Sequence, residues 1–177
     1  MHRISRWIFA AVMVALFAGL SPARAEKSEL MPPAPKASSE LERIKTLSGR
    51  WKGHASSPGK ESDADVEYRV TAGGSAVVET LFAGTDHEMV SVYYDRDGKL
   101  GMTHYCILGN QPGMALKQAS EKSIELDFVP GAVSENETHM HGIALAWDGP
   151  DRLTQTWTLF TNGQKESETV IALERQP

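Results

Sequence analysis

A single cysteine, Cys106, in 177 residues rules out an intramolecular disulfide. Cationic charge is also scarce: 18 Lys and Arg stand against 23 Asp and Glu, a net charge of −5. Sequence-independent nucleic-acid binding and docking on an anionic lipid surface both draw on an excess of cations, so neither is expected. Also missing are a Gly-Lys-Ser/Thr phosphate loop, a Gly-x-Ser-x-Gly nucleophile elbow and a dinucleotide fingerprint. No internal repeat or low-complexity run is present. The long apolar run, Trp7 to Leu20, has about 14 residues, short of the roughly 20 that cross a bilayer, so no stable membrane anchor is expected. The remainder, 41 % hydrophobic, suits one globular domain with a single core.

Met1 to Ala25 reads as a signal peptide. His2, Arg3 and Arg6 precede the apolar run, and Ser21-Pro22-Ala23-Arg24-Ala25 ends in the small-x-small pattern that places cleavage after Ala25. Export to the periplasm or beyond is the expectation. The segment carries Arg3, Arg6 and Arg24 and no acid, so the mature chain is more acidic than the whole. Residues 26–38, with Pro32, Pro33 and Pro35 and little to pack, read as a flexible leader. A domain is expected over 39–177. It opens with a capping box, Ser39-x-x-Glu42, and a short helix whose Leu41, Ile44 and Leu47 form one stripe, with Gly49 past its end.

From Arg50 the apolar period becomes two. Segments rich in Val, Thr, Tyr, Phe and Trp alternate with turns such as Ser57-Pro58-Gly59, Asp95-Arg96-Asp97-Gly98 and Thr161-Asn162-Gly163. About ten strands follow, near 50–56, 63–71, 75–83, 87–95, 99–108, 113–120, 123–129, 138–147, 152–160 and 166–175. Ten meandering strands in one domain favour an antiparallel up-and-down barrel, since closure removes the edges; a two-sheet sandwich is the alternative.

Alternation assigns faces. Met102, His104, Cys106 and Leu108 share one side of strand five, and Ile124, Leu126 and Phe128 one side of strand seven. His139, His141, Ile143, Leu145 and Trp147 share a side of strand eight, and Gln155, Trp157 and Leu159 a side of strand nine. Strands three and four leave the facing of Glu79 and His87 open; Gln118 is a further candidate for the interior. With these faces inward, the lumen is apolar but carries His104, Cys106, His139, His141 and Gln155. Unpaired buried polar groups cost about 1–3 kcal/mol each. They must therefore pair with one another, with water or with a ligand.

The helix running into Gly49-Arg50-Trp51 resembles the opening of lipocalin-like barrels. The strings Thr71-Ala-Gly-Gly-Ser75, His87-Glu-Met-Val90, Thr103-His-Tyr-Cys106, Gly109-Asn-Gln-Pro112 and His139-Met-His-Gly142 resemble a bacterial family with a lipocalin-like or nitrobindin-like barrel and no settled activity. The resemblance runs over about residues 40–175. It implies a fold and no reaction. It also implies that Trp51 closes the barrel floor with Arg175, near the final strand, stacked upon it. A nitrobindin-like barrel holds haem through a late-strand His, and here the last is His141.

His139-x-His141 places two imidazoles about 7 Å apart along one face, a spacing found in metal-binding barrels. Ala144 and Leu145 stand where a further carboxylate ligand would be sought, so no metal is assigned. His104 and Cys106, equally spaced, lie too far apart for a catalytic hydrogen bond, while Glu79 and His87 are a candidate orienter and base. The expectation is an exported carrier or sensor that holds a small, largely apolar molecule by its polar end, with no cofactor and no catalytic residue. His104, His141 and Gln155 are expected to face that end, against Met102, Leu126 and Trp157. The alternatives are a haem-binding barrel or small barrel enzyme using a lumenal His, and a filled structural barrel that binds another protein.

Overall fold

The computed structural model describes residues 36–177. The expected signal peptide and most of the expected leader lie outside the described residues. Ten antiparallel strands follow one short helix, α1 (Ser39–Lys45): β1 (Gly49–Ser57), β2 (Lys60–Thr71), β3 (Ala76–Leu81), β4 (Met89–Arg96), β5 (Lys99–Tyr105), β6 (Gly113–Ala119), β7 (Ser123–Val129), β8 (His139–Trp147), β9 (Arg152–Thr161) and β10 (Gln164–Arg175). Each pairs with its neighbour in sequence, and β1 pairs with β10, so the sheet closes into a barrel rather than a sandwich. Closure brings Trp51 opposite Arg175 and Gly53 opposite Leu173.

Helix α1 is too short to persist alone. It is held at the end of the barrel where β1 begins, by burial of Leu41, Ile44 and the following Leu47 in one core with Trp51. Each such side chain contributes about 1.5–3 kcal/mol. The helix cap differs from the sequence expectation. Ser38, not Ser39, is the N-cap, and its hydroxyl accepts the Leu41 N–H. At the same end the Arg175 guanidinium lies 4.3 Å from the Trp51 ring centre and donates to the Ser48 and Thr46 carbonyls. The Trp51 indole N–H donates to the Leu47 carbonyl at 2.7 Å.

Three register shifts interrupt the ladders, at Leu116/Gln118, Met140/Gly142 and Lys165/Ser167. The second reverses the facing of two histidines. Ile143, Leu145 and Trp147 keep the parity of Trp157, Gln155 and Leu153, their partners on β9. The extra residue at the shift turns Met140 toward the lumen and His141 away from it.

Candidate functional site

The lumen divides into tiers that the strand registers stack. Nearest the α1 end, Trp51, Leu100, Leu153 and Leu173 fill the interior. Above them lies a polar tier, fully enclosed. Glu79 of β3 is 0 % exposed and accepts the Tyr68 hydroxyl at 2.6 Å, the Tyr93 hydroxyl at 3.0 Å and the Gln155 amide N–H at 2.6 Å. The Trp157 indole, which only donates, bonds the Gln155 Oε1 at 2.9 Å and thereby turns the Gln155 amino group toward Glu79 and the Tyr68 oxygen. Burial pushes the Glu79 carboxyl above its ordinary range, while hydroxyl and amide donors pull it back. Burial, with the charge of Glu79, keeps both tyrosines protonated well above the usual phenol range.

One row crosses three strands. Glu79 faces Ser91 across β3–β4, and Ser91 faces His104 across β4–β5. The Ser91 hydroxyl lies 3.1 Å from His104 Nδ1. The imidazole is 1 % exposed and packs against Trp157 with ring centres 4.7 Å apart. Burial lowers its pKa to about 4, so the ring is neutral at neutral pH. Its second nitrogen, Nε2, is buried and has no hydrogen-bond partner among the described residues.

His104 and Trp157 form part of the wall of a cavity of about 720 Å³ at the barrel end opposite α1. Leu81, Phe82, Met89, Met140, Ala55 and Ile171 supply its apolar wall. Its lip is polar, with Ser57, Lys60, Glu61, Ser62 and Asp63 from the β1–β2 hairpin and Thr85 and His87 from the β3–β4 connection. The volume falls in the range of small-molecule pockets, with an apolar wall beneath a polar lip.

Several expected site residues are therefore placed differently. Met102 and Leu126 are buried but do not line the cavity. Gln155 belongs to the tier beneath and is saturated by its partners. His87 is exposed at the lip, and the residue opposite Glu79 is Ser91 rather than His87. Gln118 is exposed next to a register shift. Cys106 lies beyond the end of β5, its thiol pushed up by burial and outside the cavity wall; Leu108 is exposed.

His139 is buried beside Phe128, with Nδ1 2.7 Å from the Glu137 carbonyl and Nε2 3.0 Å from His141 Nδ1. His141 stacks on Phe160 at 3.7 Å and sits with Asp127, Lys117 and Glu168 in a groove on the outer wall. Neither histidine lines the lumenal cavity, because the shift at Met140/Gly142 breaks the alternation that would carry them inward. No group of three or more His, Cys, Asp or Glu among the described residues is placed to hold a metal ion. No helix among them is long and apolar enough to cross a membrane.

The partners of His104 escaped sequence reasoning because they depend on how β3, β4 and β5 register. One cue to the reversal of the histidines was present: Gly142, inside a strand, is a residue that often marks a bulge.

No family model matches the chain, and no curated protein does. Among solved structures the chain is similar to a protein of unknown function from the DUF3598 family of Nostoc punctiforme, at 13 % identity and a TM-score of 0.53. The likeness covers 75 % of this chain and 49 % of that one, so the chain spans about half the length of the protein it matches. At that identity the shared property is the barrel.

Proposed function

We propose that the barrel is an exported, non-catalytic carrier or sensor that takes a small, largely apolar molecule into the cavity opposite α1 and meets its polar end with His104. The observation that carries this reading is one buried imidazole, His104, in the cavity wall beneath the polar lip, with a ring nitrogen that has no protein partner. Leaving such an atom unpaired costs about 1–3 kcal/mol, and a ligand group that bonds it recovers that cost. A general base works best with a pKa near the working pH. At about 4, His104 is a weak base, which favours holding over proton abstraction.

A nitrobindin-like haem site needs a late-strand imidazole in the lumen. Strands β9 and β10 carry no histidine, and His141 of β8 faces outward, so the residues do not fit that arrangement. Titration with haemin is expected to give no sharpened or shifted Soret band beyond that of free haemin.

The reading is tested by purifying the protein from its own host, measuring its mass under native conditions, and identifying what denaturation releases. A bound apolar molecule, lost in a His104→Ala/Trp157→Ala variant that still folds, is the expected result. A clean apo mass together with no shift in Tm across a panel of lipids and apolar metabolites would sink it.

A further inference from the structure

The identity of the polar end follows from counting protons along the row Glu79–Ser91–His104, and this step rests on the cavity reading above. Three donors converge on Glu79: the Tyr93 hydroxyl, and two whose orientation a second partner fixes, the Tyr68 hydroxyl whose oxygen accepts from Gln155 and the Gln155 amide turned by Trp157. The form of Glu79 that satisfies all three is the carboxylate, which only accepts. Ser91, directly opposite on β4 and 0 % exposed, has one hydroxyl proton to give. Of the two acceptors beside it the carboxylate is the stronger, and a Ser91 hydrogen bond is among those that pull the Glu79 carboxyl back down. The Ser91 oxygen then accepts, and the group facing it is His104 Nδ1 at 3.1 Å. That places the imidazole proton on Nδ1. A neutral imidazole has one N–H, so Nε2 presents a bare lone pair.

We infer that the cavity selects neutral ligands whose polar end donates a hydrogen bond, such as an aliphatic alcohol or phenol, over carboxylates and over ends that only accept. A carbonyl or ether oxygen would meet the Nε2 lone pair with its own. A carboxylate would add repulsion from Glu79. The lip of the cavity carries Lys60 and His87, with the acids Glu61 and Asp63 among them.

The experiment uses three probes of one chain length, decan-1-ol, decanoate and 1-methoxydecane, titrated against the full protein by Trp fluorescence and native mass spectrometry. It is paired with ¹⁵N NMR of the histidine rings in the unliganded protein. Decanol is expected to bind about tenfold or more tighter than either other probe, the ratio one hydrogen bond supplies, and His104 is expected to carry its proton on Nδ1. In Ser91→Ala the proton is released from that constraint, and the methyl ether is expected to gain on the alcohol.

Equal affinity for the three probes, or preference for decanoate, overturns this inference and leaves the cavity reading standing. A proton found on Nε2 overturns it by a route independent of binding. No response to any of the three counts against the cavity reading as well.

Discussion

Asp95 holds Ser38 with both carboxylate oxygens, accepting the Ser38 backbone N–H at 2.6 Å and the Ser38 hydroxyl at 2.7 Å. The same hydroxyl oxygen accepts the Leu41 N–H at 3.1 Å, so one serine caps α1 while a strand end 57 positions away anchors the serine. In a capping box the residue three further on bonds the cap N–H. Here β4 does it, and the start of the helix is fixed to the barrel rather than to itself.

Replacing Asp95 with Ala therefore removes two hydrogen bonds and loosens a third. The expected loss is about 1–2 kcal/mol, read as a lower urea midpoint with an unchanged slope. Asp95→Asn recovers only part, because the two donors meet different carboxylate oxygens and Asn puts an NH2 donor in place of one of them. Wild-type stability in Asp95→Ala would show that the helix is held by its buried leucines alone.

The β1–β10 closure makes a sharper steric prediction. A methyl group on Gly53 would sit 1.8 Å from the Ala172 carbonyl oxygen and 2.8 Å from its carbon, both backbone atoms that cannot swing aside. Gly53→Ala is expected to lose about 3 kcal/mol or more. Gly59→Ala, at a turn with φ of +74° and no atom near the added methyl, is expected to lose about 1 kcal/mol. Chemical denaturation of the two variants side by side checks the order.

The fold was legible because most strands alternate and every turn between strands but Ser120-Glu121-Lys122 carries Gly, Asn, Asp or Pro. Strand β7, with Ile124 and Leu126 inward and Asp127 outward, needs nothing beyond its own residues. The site was legible only in part. His104 and Trp157 follow from parity, since β5 and β9 carry no extra residue of their own; the shifts beside β9 insert theirs in β8 and β10. His141 does not, because one inserted residue reverses facing and alternation alone cannot register it. Ser38–Asp95 and Glu79–Ser91–His104 were invisible for a different reason. They join elements whose relative register is set by the closed sheet.

Glu79 is the residue on which the enclosed tier depends. Glu79→Leu strands the Tyr68 and Tyr93 hydroxyls and a Gln155 N–H away from water, an expected loss of about 3–5 kcal/mol. Unpaired donors are the cause, so removing the two hydroxyls restores part of it, although Tyr68→Phe also takes the other acceptor of the Gln155 amide. Glu79→Leu with Tyr68→Phe and Tyr93→Phe is expected to be more stable than Glu79→Leu alone. Thermal and urea melts of the single and triple variants make the comparison, and a further loss in the triple variant would show that packing volume dominates.

His104 gives the protein a definite response to acid. Its folded pKa is about 4, below the ordinary value of 6.5, with burial as the cause. As pH falls below 6.5 the unfolded chain takes up a proton that the folded chain refuses until about pH 4. Stability is therefore lost across that window, by about 3 kcal/mol in total. Glu79 runs the other way: its carboxyl is raised on folding, so its contribution weakens as pH rises from its unfolded toward its folded pKa. The difference between wild type and His104→Gln isolates the imidazole. Urea melts from pH 7 to pH 4 are expected to show wild type losing stability faster than His104→Gln, by up to one proton's slope. Parallel curves would mean that the ring is protonated, or reached by water, at a higher pH than its burial implies.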